Sequence, residues 1–384
     1  MFLKKNYLTK NYQKDRALKI KHNYLTQQFF DYKKILKNFE KVIKTNEFTL
    51  GREVDEFENK ISKLLGAKYV VSVGSGTDAL MLSLKAIGIK EGDEVITTPF
   101  TFYATIGAIV TAGAKPVFVD VGEDYNINPN LIESKITKKT KAILPVHWAG
   151  RVCDMDKIIK IAKKHKLKVV EDSCHAILAT YKNKYAGKFS SFGCFSLHPL
   201  KNLNVWGDGG FIICSNKYNY NKMRLMRNHG LVGRNKNLIF GYNSRLDTIQ
   251  AVVALNALKK IKNITKKRIE NSKFLDQKLK YIQNIKCMTR DKNKKEVFHL
   301  YKLNLKNKKI RDKTIKFLIK RGVDAKIHYP TSMHLQPAAK KYGYKKGDFP
   351  IAEKLSQTSI SLPVHEYVTK ENLKYIVNLI SKCV

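Results

Sequence analysis

From residue 69 onward, short apolar runs alternate with stretches of helical spacing, and this alternation restricts the fold more than any other feature. Runs at 69–73, 94–97, 116–121, 141–145 and 168–171 read as strands. Between them, 78–87 reads as a helix ended by Gly88, and a helix capped by Asp154 turns Ile158, Ile159 and Ile161 inward. The alternation predicts an α/β fold with a mostly parallel sheet covered on both faces. In such a sheet the site lies at the carboxyl ends of the strands. Two helices, at 31–46 and 57–65, precede this core. A long helix is expected at 247–264, followed by a lysine-rich stretch where the pattern changes. A strand at 298–305 and helices at 312–320 and 369–381 then form a smaller α+β unit. The division this suggests is a basic leader over 1–22, a large domain over 23–264 and a small domain over 265–384.

Composition serves mainly to exclude. A net charge of +41 raises the question of nucleic acid. Lysine greatly outnumbers arginine, however, and is spread through the chain rather than clustered, whereas base and phosphate recognition leans on arginine patches. No nucleic-acid partner is expected, although the positive field would draw in an anionic small substrate. There is no apolar run long enough to span a bilayer, and the leader lacks an apolar signal core. The six cysteines include no C-x-x-C pair, which fits reduced thiols in a cytoplasm better than disulfides or zinc. No metal and no membrane are expected.

The stretch 190–214 reads as a strand, a polar loop, a Gly-rich turn and a second strand. Its loop holds one lysine, Lys201, in surroundings that are apolar or uncharged except for Asp208. An amine there loses hydration of its ammonium form, and the neutral amine becomes a nucleophile toward a carbonyl. Three other stretches also sit at strand ends. Gly74-Ser75-Gly76-Thr77-Asp78 opens a helix, where free N–H groups favour a phosphate. The stretch 98–105 supplies an aromatic that could stack on a planar ring. Glu171-Asp172-Ser173-Cys174-His175 puts Asp172 where a carboxylate is costly without a cation, and a protonated pyridine nitrogen would be one. Taken singly, these read equally well as a solvent-facing lysine, a plain turn, core packing and a helix cap. Taken together and in this order, they are the set that pyridoxal phosphate (PLP) requires.

These residues, with Thr49-Leu50-Gly51, Pro145-Val146-His147, Gly207-Asp208-Gly209-Gly210, Arg227-Asn228-His229-Gly230, His328-Tyr329-Pro330 and Ser361-Leu362-Pro363, make the chain resemble the DegT/StrS-type sugar aminotransferases, a branch of the fold-type I PLP enzymes. The resemblance runs from about Phe39 to the end. It implies a large domain with a mostly parallel seven-stranded sheet and a smaller C-terminal α+β domain. It also implies roles: Lys201 as Schiff-base lysine and proton shuttle, Asp172 as partner of the ring nitrogen, and Phe102 as the stacking ring. Gly76, Thr77 and Ser196 would be phosphate holders, helped by Asn243 from a second subunit of a homodimer. His175 would lie near the cofactor's phenolic oxygen, and His328 and Tyr329 near the substrate.

Some relatives carry histidine in place of the lysine and act as dehydratases. This chain keeps Lys201, and His198 fits the His-Pro step before it, so transamination is the implied chemistry. The donor would be glutamate or glutamine and the acceptor a keto sugar on a nucleoside diphosphate. Trp148, where relatives often have tyrosine, and the unusual leader leave the sugar open. Two competing readings remain: a PLP enzyme of other chemistry (a sugar dehydratase or amino-acid transaminase) and a non-enzymatic PLP-binding regulator.

Overall fold

The computed structural model describes residues 18–22 and 24–384, so the first seventeen residues of the leader lie outside the description. The central sheet has seven strands: β1 (Tyr69–Val73), β2 (Glu94–Thr97), β3 (Lys115–Phe118), β4 (Thr140–Ile143), β5 (Lys168–Asp172), β6 (Phe192–Ser196) and β7 (Gly210–Cys214). Their spatial order is β1-β7-β6-β5-β4-β2-β3. All neighbouring pairs are parallel except those made by β7, which runs against both β1 and β6. That reversal matters for the site. It brings the loop between β6 and β7, which carries Lys201, to the edge where the parallel strands end.

Strands β2 and β7 are buried along their whole length, as expected where helices cover both faces of a sheet. Helices α1 (Tyr32–Thr45) and α2 (Arg52–Leu65) show the apolar stripe and polar outer face of surface helices. In contrast, α3 (Gly76–Ala86) is buried nearly all round. It is sandwiched between the sheet and its neighbours α4 (Tyr103–Thr111) and α6 (Lys217–Met226). Helix α5 (Met155–Lys164) follows β4 and covers β5.

The expected long helix over 247–264 is two helices, α7 (Thr248–Leu258) and α8 (Ile261–Leu279), and the lysine-rich stretch continues the second. The physical reason is a change of partner. Helix α7 is apolar nearly all round and is buried against α1 and α2. Helix α8 begins with Ile261 and Ile264 in the large-domain core and ends with Leu275 and Leu279 in the core of the small domain. The break at Lys259 and Lys260 lets the second helix leave the first one's environment. The proposed boundary at 264/265 therefore falls inside α8.

The small domain is a three-stranded antiparallel sheet, β8 (Ile285–Lys286), β9 (Tyr301–Leu305) and β10 (Ser359–Leu362), with β9 in the middle. It packs with α9 (Lys308–Lys320), α10 (Pro350–Thr358) and α11 (Lys370–Ser381). Asn307 caps α9, and Thr369 caps α11 in a reciprocal capping box with Asn372. The end of the leader joins this domain: Ile20 bridges to Val323 and belongs to the small-domain core. No helix among the described residues is long and apolar enough to cross a membrane.

Candidate active site

A cavity of about 560 Å³ opens at the carboxyl edge of the sheet, between the large domain, the small domain and His22, Tyr24 and Leu25. Of the residues that the resemblance assigns to catalysis, cofactor or substrate, all line it except Asn243. The site can be built up strand end by strand end.

After β1, Ser75 caps α3 and its Oγ accepts from Asp78 N at 3.0 Å. The N–H groups of Gly76 and Thr77 find no acceptor among the described residues, as the first turn of a helix requires. A Cβ on Gly76 would lie only 2.6 Å from Ser196 Cβ. Glycine is therefore what allows α3 to approach β6 and bring Ser196 beside the open N–H groups.

After β2, Thr105 on α4 donates to Asp172 Oδ2 at 2.8 Å, and its Oγ1 lies 2.7 Å from Thr101 Oγ1. Cys174 N donates to Asp172 Oδ1 at 3.2 Å. The carboxylate is thus oriented by two neutral donors and forms an ion pair with no cation among the described residues, although only 5% of the residue is exposed. Its neighbour Glu171 has the opposite fate because successive strand residues point to opposite faces. Glu171 is completely buried and accepts from His147 Nε2 (2.9 Å), Gly187 N and Phe189 N (both 2.8 Å) and Ser190 Oγ (2.7 Å). It is structural cement for the end of β5.

Ala149 N donates to His175 Nδ1 at 3.3 Å, which places that ring's proton on Nε2. Burial, helped by Lys201 and His328, holds the His175 pKa well below its usual value, so the ring is a neutral donor. Phe102 caps α4, with its ring 5.8 Å from that of Tyr329. Tyr329 packs edge-on to buried Trp148 at 5.2 Å. Lys201 has its pKa lowered by burial, against the opposing pull of Cys174 and Asp172. Asn243 stands apart: it is exposed and pairs through its backbone with Asn228. The adjacent Ser244 accepts from Gly74 N (3.2 Å) and donates to Asp78 Oδ2 (2.9 Å).

Several residues of the site carried no signal in the sequence. Tyr24 Oη donates to the carbonyl of Lys201 at 3.4 Å and accepts from Arg268 Nη2 at 2.7 Å. Gln28 and Asn204 exchange two amide hydrogen bonds beneath the lysine loop. Tyr24 and Gln28 thereby stitch the segment before α1 to the loop that holds Lys201.

A buried amine of lowered basicity has a use where a carbonyl must be captured. An uncompensated buried carboxylate has a use where a ring nitrogen must stay protonated. With open helix N–H groups for a phosphate in the same cavity, these residues fit pyridoxal phosphate, and the site is that of a PLP-dependent enzyme. The model of the DegT/DnrJ/EryC1/StrS aminotransferase family matches residues 31–381. The chain belongs to this family and is a PLP-dependent aminotransferase.

Two relatives are similar over nearly their full lengths. A pleiotropic regulatory protein of Geobacillus stearothermophilus is 37% identical over 362 residues, 93% of this chain and 96% of its own. The UDP-2-acetamido-2-deoxy-3-oxo-D-glucuronate aminotransferase of Pseudomonas aeruginosa is 35% identical over 344 residues, 89% of this chain and 94% of its own. Among solved structures, DesV of S. venezuelae superposes with a TM-score of 0.91 at 30% identity, covering 94% of this chain and 98% of that one.

Proposed function

We propose that this aminotransferase moves an amino group from glutamate or glutamine to a keto sugar carried on a nucleoside diphosphate. The observation that carries the reading is the placement of Lys201, half-buried and of lowered basicity, in one cavity with Asp172 and the His328-Tyr329 wall. Bound pyridoxal phosphate supplies a carbonyl that captures amines and a ring that draws off the electrons left when a proton departs. The N–H groups of Gly76 and Thr77 and the hydroxyl of Ser196 would hold its phosphate, Phe102 would cover its ring and His175 Nε2–H would donate to its phenolic oxygen. Asp172 would hold the proton on the ring nitrogen. Lys201 Nζ, whose basicity burial lowers, would be the base that takes the proton from the donor's α-carbon. The small domain, with His22, Tyr24 and Leu25, closes the cavity and limits water.

The Pseudomonas aeruginosa relative is named for a 3-oxo sugar, so 3-keto sugar nucleotides head the acceptors to be tried. The test loads the protein with PLP, converts it with glutamate or glutamine, and then offers 3-keto and 4-keto sugar nucleotides. Amination of at least one keto sugar nucleotide is expected. Turnover with simple keto acids alone would favour an amino-acid transaminase. A PLP-loaded protein that reacts with neither donor would favour the regulator.

The exposed position of Asn243 suits a role at a partner's site, in a homodimer with composite sites. Neither Lys201→Ala nor Asn243→Asp should be active alone, since the second sets a carboxylate against the phosphate. If Asn243 crosses, a mixed dimer of the two variants has one site with both residues intact, and activity should return on mixing. Failure to complement, with subunit exchange demonstrated, would assign Asn243 to its own subunit.

A further inference from the structure

Lys302 is a lysine in an unusual place. It is the second residue of β9, is 2% exposed, and has no ion pair among the described residues. Its register partner across the antiparallel pair is Ser361 of β10, so the two side chains share a face. On its other side Ser361 bridges to Lys326: Ser361 N donates to Lys326 O at 2.7 Å, and Lys326 N donates to Ser361 O at 3.1 Å. That bridge sets the segment 326–329 beside β10 and brings His328 to Ser361. Lys302 Nζ donates to the carbonyl of His328 at 2.8 Å and to Ser361 Oγ at 3.3 Å, and it lies 5.5 Å from the centre of the Tyr125 ring. Ser361 Oγ is 2.9 Å from His328 Nδ1.

The direction of each bond follows from what each group can do. An ammonium only donates. The Ser361 hydroxyl accepts from Lys302 and, with no other acceptor among the described residues, gives its single proton to His328 Nδ1. A ring nitrogen that accepts carries no proton, so the proton of neutral His328 sits on Nε2. Burial, with Lys302, His22, Lys326 and Lys201 nearby, holds the His328 pKa well below its usual value, which keeps the ring neutral. His328 lines the cavity; Lys302 and Ser361 do not.

We propose that Lys302 and Ser361 are positioning residues whose relay holds His328 as an Nε2–H donor to an oxygen of the sugar-nucleotide substrate. The inference rests on the function proposed above and adds what fixes its substrate wall. The relay is conditional on charge. A neutral Lys302 has a lone pair that can accept from Ser361, and His328 Nδ1 then loses its donor. The charged and titratable groups around Lys302 are Arg311 of α9, His328 and Lys326 beside β10, His22 of the N-terminal segment and Tyr125. Burial, with the repulsion of Arg311, lowers its pKa to about 7. The relay therefore weakens as pH rises through the Lys302 pKa.

Two measurements test this. In the first, histidine-labelled protein is examined by nitrogen NMR at pH 6, with His328 assigned from the signals missing in His328→Gln. A bare Nδ1 and a protonated Nε2 are expected. The opposite tautomer, or a doubly protonated ring, would overturn the relay whatever the protein's substrate. In the second, KM for an accepted keto sugar nucleotide should rise about three- to tenfold between pH 6 and pH 8, the worth of one hydrogen bond. In Lys302→Met, which can neither anchor the His328 carbonyl nor take the Ser361 proton, it should already be raised at pH 6 and flat to pH 8, with the donor half-reaction and kcat retained. A Lys302→Met enzyme with the wild-type KM and pH profile would overturn the proposal. If the protein shows no donor half-reaction at all, the functional reading fails, and the NMR result still decides the relay.

Discussion

Lys201→Ala is expected to lose turnover by at least about a thousandfold, since both the nucleophile and the base disappear. The fold should survive. The loop's own contacts are made by the backbone: Lys201 N donates to His198 O, and the Lys201 carbonyl accepts from Tyr24. Alanine keeps both. The amine itself is held against a desolvation cost, which is why its pKa is lowered. Removing it should leave the melting temperature unchanged or raised. The variant should also lack the visible absorbance of cofactor joined to lysine, yet still retain the cofactor through phosphate and ring contacts. Turnover, spectrum and thermal unfolding measured on one preparation check all three expectations. Wild-type turnover in a preparation free of wild-type protein would remove Lys201 from the chemistry.

Asp172→Asn should act differently. The amide oxygen can still accept from Cys174 N, and the Thr105 hydroxyl can turn from donor to acceptor. Folding and attachment of the cofactor to Lys201 should therefore be preserved. What is lost is the negative charge that keeps the ring nitrogen protonated. The charge-assisted hydrogen bond alone is worth about 1.5–3 kcal/mol, roughly ten- to hundredfold in rate, before any electronic effect on the electron sink. The donor half-reaction, followed in single turnovers, should slow by at least that factor while the spectrum of the lysine-bound cofactor remains. An unchanged rate would mean that Asp172, like its neighbour Glu171, serves only the end of β5.

Glu171 and Asp172 show how sequence and structure divide the work. The sequence places an acidic pair at the end of a buried strand, and that is enough to expect one carboxylate at the site. Which of the two is spent on structure depends on the loops each face meets. Glu171 meets His147 and the turn 187–190, while Asp172 meets Thr105 and the cavity. The single helix expected at 247–264 misjudged a comparable matter. A periodic pattern records that each stretch is helical and says nothing of a change in what it packs against.

The catalytic motifs were legible because each is local. A turn open to phosphate, a ring, a carboxylate and a lysine, each at a strand end, need only a strand and the few residues after it, and hydrophobic alternation assigns those strands. The links between motifs were not legible. Tyr24 meets Lys201 across 177 positions, and Arg268 meets Tyr24 across 244. Lys302 is one residue in a chain whose Lys and Arg together number 73, and composition cannot distinguish it. The amino-acid sequence by itself determined the α/β class, the order of the strand-end motifs and the cofactor they suit, because these depend on periodicity and short-range turn chemistry. Only the tertiary structure decided which lysines are buried, which way hydrogen bonds run and how the end of the leader roofs the cavity. Those properties depend on contacts between segments far apart in the chain, whose desolvation and pairing exist only once the chain has closed around them.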